Sequence, residues 1–98
     1  MAQFVAAVRR NLERFSASDF TPELLEAEAE RVRQLYAEGV FRQTWGRGDH
    51  PGAVILLEAG SFDEAQAVLA SLPLAVREML TLDLLAPLTP YRGFGPRS

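Results

Sequence analysis

The apolar positions along the chain change period several times, and each change marks an element. From Gln3 to Leu12 they alternate. Phe4, Ala6 and Val8 point one way and Val5, Ala7 and Arg9 the other, which predicts a strand. From Thr21 to Gly39 the period lengthens to that of a helix, and Leu25, Ala29, Val32, Leu35 and Tyr36 form one apolar stripe. Thr21 is suited to cap this helix, Pro22 to its first turn, and Gly39 to its left-handed stop. Val40–Arg47 alternates again, with Phe41, Gln43 and Trp45 on one face and Arg42 and Thr44 on the other. Residues 46–52, GRGDHPG, predict a turn into a third strand over Ala53–Ala59, paired with the second as a hairpin. Ser61 and Glu64 form a capping-box pattern that opens a second helix, with Phe62, Ala65, Val68, Leu69 and Leu72 as its stripe and Pro73 as its end. Residues 74–79 read equally as a helical turn or an approach to a strand. Leu80–Leu88 alternates, Leu80, Leu82 and Leu84 opposing Thr81, Asp83 and Leu85.

The order is strand, helix, strand, strand, helix, strand. It predicts an α+β fold of the ferredoxin-like βαββαβ type: a four-stranded antiparallel sheet with two helices on one face. Residues 1–90 are expected to form one domain, and residues 91–98 a proline- and glycine-rich C-terminal tail. Val54-Ile55-Leu56-Leu57 is apolar on both faces of its strand, whereas a sheet with one wet face alternates cleanly. Two helices cover one face only. The expected cover for the other is the same sheet of a second copy, giving a homodimer with paired sheets, a dimeric α+β barrel.

Composition narrows the partners. With 98 residues, 48% of them hydrophobic, the chain has material for one core. The net charge is −3 with both signs interspersed, so no basic face for nucleic acid is expected. There is no cysteine and one histidine, which leaves no thiolate and no obvious metal-ligand cluster. No glycine-rich phosphate loop follows a strand and opens a helix, so no cofactor is implied. No apolar run is long enough to span a membrane, and the first residues lack the order of a signal peptide, so a cytoplasmic location is expected. Arg47-Gly48-Asp49 is a tripeptide that some adhesion receptors read, but a turn between strands accounts for it.

Four residues carry candidate chemistry. Glu28 lies three residues after Leu25 and four before Val32, inside the apolar stripe. A carboxylate aimed at a core is costly unless paired, protonated or lining a cavity, and burial raises its pKa toward the range useful for proton transfer. Glu28 is therefore the candidate catalytic base; the plain alternative is an acid at the stripe's edge, paired with an arginine. Arg42 offers paired donors for a substrate carboxylate or enolate; its alternative is a surface salt bridge, or the partner that neutralises Glu28. His50, near the strand ends, is a candidate catalytic donor or proton relay, against a solvated loop histidine. Trp45 is a candidate substrate-binding wall, against a core or interface tryptophan.

Residues 35–45, LYAEGVFRQTW, followed by His50 and by Leu72-Pro73-Leu74, resemble the muconolactone isomerase family. Glu38-Gly39, Phe41-Arg42, Trp45, His50 and Leu72-Pro73-Leu74 fall in that pattern without insertion, and the register lays a family glutamate on Glu28. The resemblance spans roughly residues 3–85. It implies paired sheets, higher assembly into a ring-like decamer, and a cofactor-free isomerase acting on a small lactone carboxylate. The chain departs from the family pattern at the aliphatic third strand, at Ala75-Val76-Arg77, at Val5 and in the tail, all of which bear on the pocket wall. The expected activity is intramolecular proton transfer on a small carboxylated lactone or related carbonyl compound. The alternatives are another enzyme of the same scaffold, a cofactor-independent monooxygenase or lyase, and a non-catalytic assembly or ligand-binding protein.

Overall fold

The structure, a computed structural model, describes residues 1–96; of the expected tail, residues 97 and 98 lie outside the described residues. The elements are β1 (Ala2–Arg10), α1 (Pro22–Ala37), β2 (Phe41–Gly46), β3 (Gly52–Ala59), α2 (Phe62–Ala70), the short α3 (Pro73–Val76) and β4 (Leu80–Pro87), with 3-10 turns at Ala17–Asp19 and Arg92–Phe94. The strands lie in the order β2-β3-β1-β4, every neighbouring pair antiparallel. This is the expected ferredoxin-like α+β architecture.

Phe4, Ala6 and Val8 of β1 and Ile55, Leu57 and Ala59 of β3 are buried with Leu35 of α1, Ala65 and Leu69 of α2, and Phe41 and Leu72. Both long helices therefore pack on one face. A smaller apolar cluster of Phe20, Leu74 and Met79 plugs one end beside Leu24 and Leu25. At Gly52 a Cβ would stand 2.1 Å from the Val8 carbonyl oxygen, so β3 begins hard against β1 only because no side chain is there.

The helix ends follow local chemistry. Thr21 Oγ1 accepts from the Leu24 N–H at 3.2 Å, and Ser61 Oγ from the Glu64 N–H at 3.1 Å. Glu64 reaches back to the N–H of Gly60, one residue before the cap. Gly39, at φ 80°, closes α1: the Val40 N–H donates to the Leu35 carbonyl and the Gly39 N–H to that of Tyr36.

Several local expectations are corrected. α2 stops at Ala70, and Pro73 opens α3 instead of ending α2, at a first-turn position where its missing N–H costs nothing. Tyr36 is 62% exposed, outside the buried stripe. Most consequential are two β-bulges. Phe41 lies opposite Leu57 and Gln43 opposite Leu56, so Arg42 is an extra residue in β2. Beyond it the faces exchange: Thr44, opposite Ile55, joins Phe41 on the helix side, while Gln43 and Trp45 point to the other face. In β4, Leu84 lies opposite Ala7 and Leu82 opposite Val8, so Asp83 is extra and Leu84 leaves the side of Leu80 and Leu82. Simple alternation cannot anticipate this, because one inserted residue moves every later side chain to the opposite face.

Candidate functional site

A cavity of about 240 Å³ opens between α1 and the sheet. Glu28 and Val32 line it from α1, Arg10 from the end of β1, Thr44 from β2, Ile55 from β3 and Leu74 from α3. Its walls are mainly aliphatic, so the few polar groups carry its chemistry.

Glu28 is positioned by helical spacing, which turns it inward between Leu25 and Val32. Its Oε1 accepts a hydrogen bond from the Leu74 N–H at 3.0 Å. Burial pushes the carboxyl pKa above its ordinary value, and the Leu74 bond opposes that in part. Among the described residues no cation forms an ion pair with it. Arg42, weighed above as its neutralising partner, instead points its Nε at Glu58 Oε2, 3.5 Å away, and lies beside Tyr36 and Gly39 at the sheet's edge.

Thr44 brings a second polar group to the cavity. Its Oγ1 is buried and has no hydrogen-bond partner. Arg10 brings a third. Its guanidinium lies 5.1 Å from the centre of the Phe20 ring, and among the described residues no carboxylate pairs with it.

The other sequence candidates lie elsewhere. His50 is exposed in the β2–β3 turn, its Nε2 3.9 Å from Asp49 Oδ2, and it does not line the cavity. Trp45 is half exposed, opposite Val54 on the face without helices. Of Glu28, Arg42, Trp45 and His50, only Glu28 meets the cavity. Two polar residues of its lining escaped the sequence reading. Arg10 was legible, since it continues the inward alternation of Phe4, Ala6 and Val8. Thr44 was hidden by the bulge at Arg42.

The Arg47-Gly48-Asp49 turn is folded onto itself. Arg47 donates to both oxygens of Asp49, at 2.9 and 2.7 Å, and to Asp83 at 2.6 Å. Asp83 also accepts from Arg9, which reaches Glu13. Arg47 holds the Asp49 carboxyl well below the usual range, and Arg47 with Arg9 lowers that of Asp83. Among the described residues no three His, Asp or Glu side chains gather into a ligand set, and no helix is long and apolar enough to cross a membrane.

Sheet order, crossover helices and a cavity under the first helix place the chain, by fold, with the ferredoxin-like α+β proteins. Among solved structures, the crystal structure of muconolactone isomerase, at 3.3 Å resolution, matches it with a TM-score of 0.76, over 98% of this chain and 96% of that one. Sequence identity is 19%, so the likeness shows a shared fold. No protein-family model matches the sequence, and no curated protein matches it either.

Proposed function

We propose that the chain is a cofactor-free isomerase that moves a proton within a small carboxylated lactone or related carbonyl compound, with Glu28 as the base. The observation that carries this reading is a carboxylate that burial holds above its ordinary pKa, without an ion-pair partner among the described residues, opening into an apolar-walled cavity. A cavity of about 240 Å³ falls just below the range for drug-sized ligands, ~300–1,000 Å³. That suits one small ring with an acid arm.

The chemistry follows from those properties. Ionised Glu28 removes a proton from the carbon next to a carbonyl. The C–H electron pair becomes a C=C bond, and negative charge moves to the carbonyl oxygen. The Glu28 carboxylic acid then returns the proton to a different carbon, and the double bond has shifted with no atom gained or lost. A raised pKa narrows the gap between base and carbon acid, and a positioned base contributes roughly 10²–10⁴-fold in rate. The fold likeness to muconolactone isomerase supports this reaction class. The same reading has two copies pairing their helix-free sheet faces.

One observation favours a second reading. The Leu74 N–H bond lets Glu28 hold the first turn of α3, a structural task. Glu28→Gln separates the two, because the amide oxygen still accepts that bond. Wild-type protein with muconolactone in deuterated water is expected to exchange carbon-bound hydrogen, followed by proton NMR. Glu28→Gln is expected to lose at least about 100-fold in exchange rate while its Tm holds or rises. Wild-type protein without exchange or turnover sinks the catalytic reading; a Glu28→Gln variant that exchanges normally, with Glu28→Ala, which lacks the acceptor, melting earlier, establishes the structural one.

A further inference from the structure

We propose that Arg10 and Thr44 form the recognition subsite of the Glu28 cavity, Arg10 holding the carboxylate of a monoanionic substrate and Thr44 donating to its carbonyl oxygen. The catalytic part of this assignment rests on the reading of Glu28 as base; the binding part does not.

Arg10 is half-buried, and among the described residues its charge is unanswered. Arg9 and Arg47, on the opposite face of the same sheet, are each bound to two carboxylates. Arg10 has none among the described residues and lies over the Phe20 ring. A guanidinium beside an aromatic ring and without a carboxylate partner keeps N–H donors available, and arginine can grip a carboxylate through two parallel bonds. Glu28 lines the same cavity yet forms no ion pair with Arg10. The two opposite charges stand apart, and a substrate between them can set its carboxylate on Arg10 and its acidic C–H toward Glu28.

Thr44 strengthens the case independently. A buried hydroxyl without a partner is destabilising, and valine would fill the same shape without it. Thr44 lines the cavity with its Oγ1 closed to solvent, so a turn of the side chain brings the hydroxyl to an incoming acceptor. When Glu28 takes the proton, charge appears on the carbonyl oxygen, and a donor there stabilises the enolate. The Thr44 hydroxyl keeps its own proton throughout. The pairing also sets specificity. One carboxylate neutralises Arg10, whereas a second would face ionised Glu28, so monoanions are favoured over dianions.

The probe is the saturated lactone acid 5-oxotetrahydrofuran-2-acetate, which lacks the double bond to be moved, with its neutral amide as control. Binding is measured by calorimetry and backbone amide NMR on the full chain, which also report folding. Wild-type protein is expected to bind the acid roughly tenfold or more tightly than the amide. Arg10→Met keeps an alkyl chain over Phe20 and is expected to remove that preference with amide affinity unchanged; Arg10→Lys is expected to restore part of it. Thr44→Val is expected to weaken acid binding by roughly two- to tenfold, gain thermal stability, and lose roughly tenfold to a hundredfold in exchange rate. Glu28→Gln is expected to bind normally and not exchange. Equal affinity for acid and amide in the wild type, or an Arg10→Met variant that keeps the preference, overturns the Arg10 assignment. Unchanged exchange in Thr44→Val overturns that of Thr44. A wild type that binds with Arg10-dependent preference but never exchanges refutes only the catalytic reading of Glu28.

Discussion

On β3, Ile55, Leu57 and Ala59 are sealed under the helices, while Val54 and Leu56, one residue away, point to the face without helices. The two faces leave different things unsatisfied. Under the helices apolar surface is covered, and what remains unmet among the described residues is polar: the Thr44 hydroxyl, the Arg10 guanidinium and the Glu28 carboxylate. On the opposite face the charges answer one another, Glu13 to Arg9 to Asp83 to Arg47 to Asp49, and what remains unmet is apolar: Val54 and Leu56, with Trp45 and Leu84 each about half exposed. Unmet hydrogen bonds in a cavity suit a small polar ligand. Unmet apolar area on a flat sheet, rimmed by saturated charge, suits another sheet.

The largest effect is expected on the open face. In the sheet pairing proposed above, Leu56→Asp would place an unpaired carboxylate at the centre of the contact and is expected to weaken dimerisation by at least about 100-fold. Light scattering at micromolar concentration reads this directly, with a wild-type dimer and a variant monomer. A wild-type monomer would break the contrast between the faces. Burial inside each copy changes little, because Leu56 lies outside the helix-side core.

The faces should also respond to pH with opposite signs. Asp83 has a lowered pKa, set by Arg47 and then Arg9. Its contribution to stability is present above the ordinary carboxylate pKa and is lost as pH falls toward the lowered folded value. Glu28 has a raised pKa, so stability declines as pH rises from the ordinary carboxylate value through the raised one, and then levels off. Tm measured against pH is expected to show a shallower acid limb in Asp83→Asn and no decline above the carboxylate range in Glu28→Gln. An unchanged profile in Glu28→Gln would mean that the cavity does not desolvate its carboxylate.

The periodic parts of this design were legible along the chain. Alternation marked β1 and β3, the 3.6-residue stripe marked α1, and Thr21, Gly39 and Ser61 marked helix ends, because each depends on neighbours within a few residues. Glu28 was legible as an exception to its own stripe. The bulges at Arg42 and Asp83 were not, since a bulge depends on how the facing strand runs. That single extra residue in β2 misplaced Thr44 and Trp45 together, and it set Arg42 on the wrong wall. The cavity depends on three layers at once: α1, the sheet, and α3 closing over Leu74. Leu72-Pro73 looked like the end of a helix, with residues 74–79 open between a helical turn and an approach to a strand, when Pro73 starts the turn whose N–H meets Glu28.

The smallest expected effect tests that closing turn. α3 ends with Glu78 at φ 61°, the Met79 N–H donating to the Leu74 carbonyl and the Glu78 N–H to that of Ala75. This is the terminating pattern that Gly39 provides for α1, with a side chain where glycine is preferred. Glu78→Gly is expected to stabilise the fold by roughly 0.5–1 kcal/mol, the relief of strain being partly offset by a freer unfolded chain. The Arg14–Glu78 pair that it removes is exposed and 3.4 Å long, so its loss counts for little. Glu78→Ala is the control: it loses the same pair, keeps the strain, and should melt close to wild type. Because α3 belongs to the helix side, Glu78→Gly should raise Tm without changing the dimer constant. A shift in that constant would show that the two faces are coupled through β4, which follows directly after Met79.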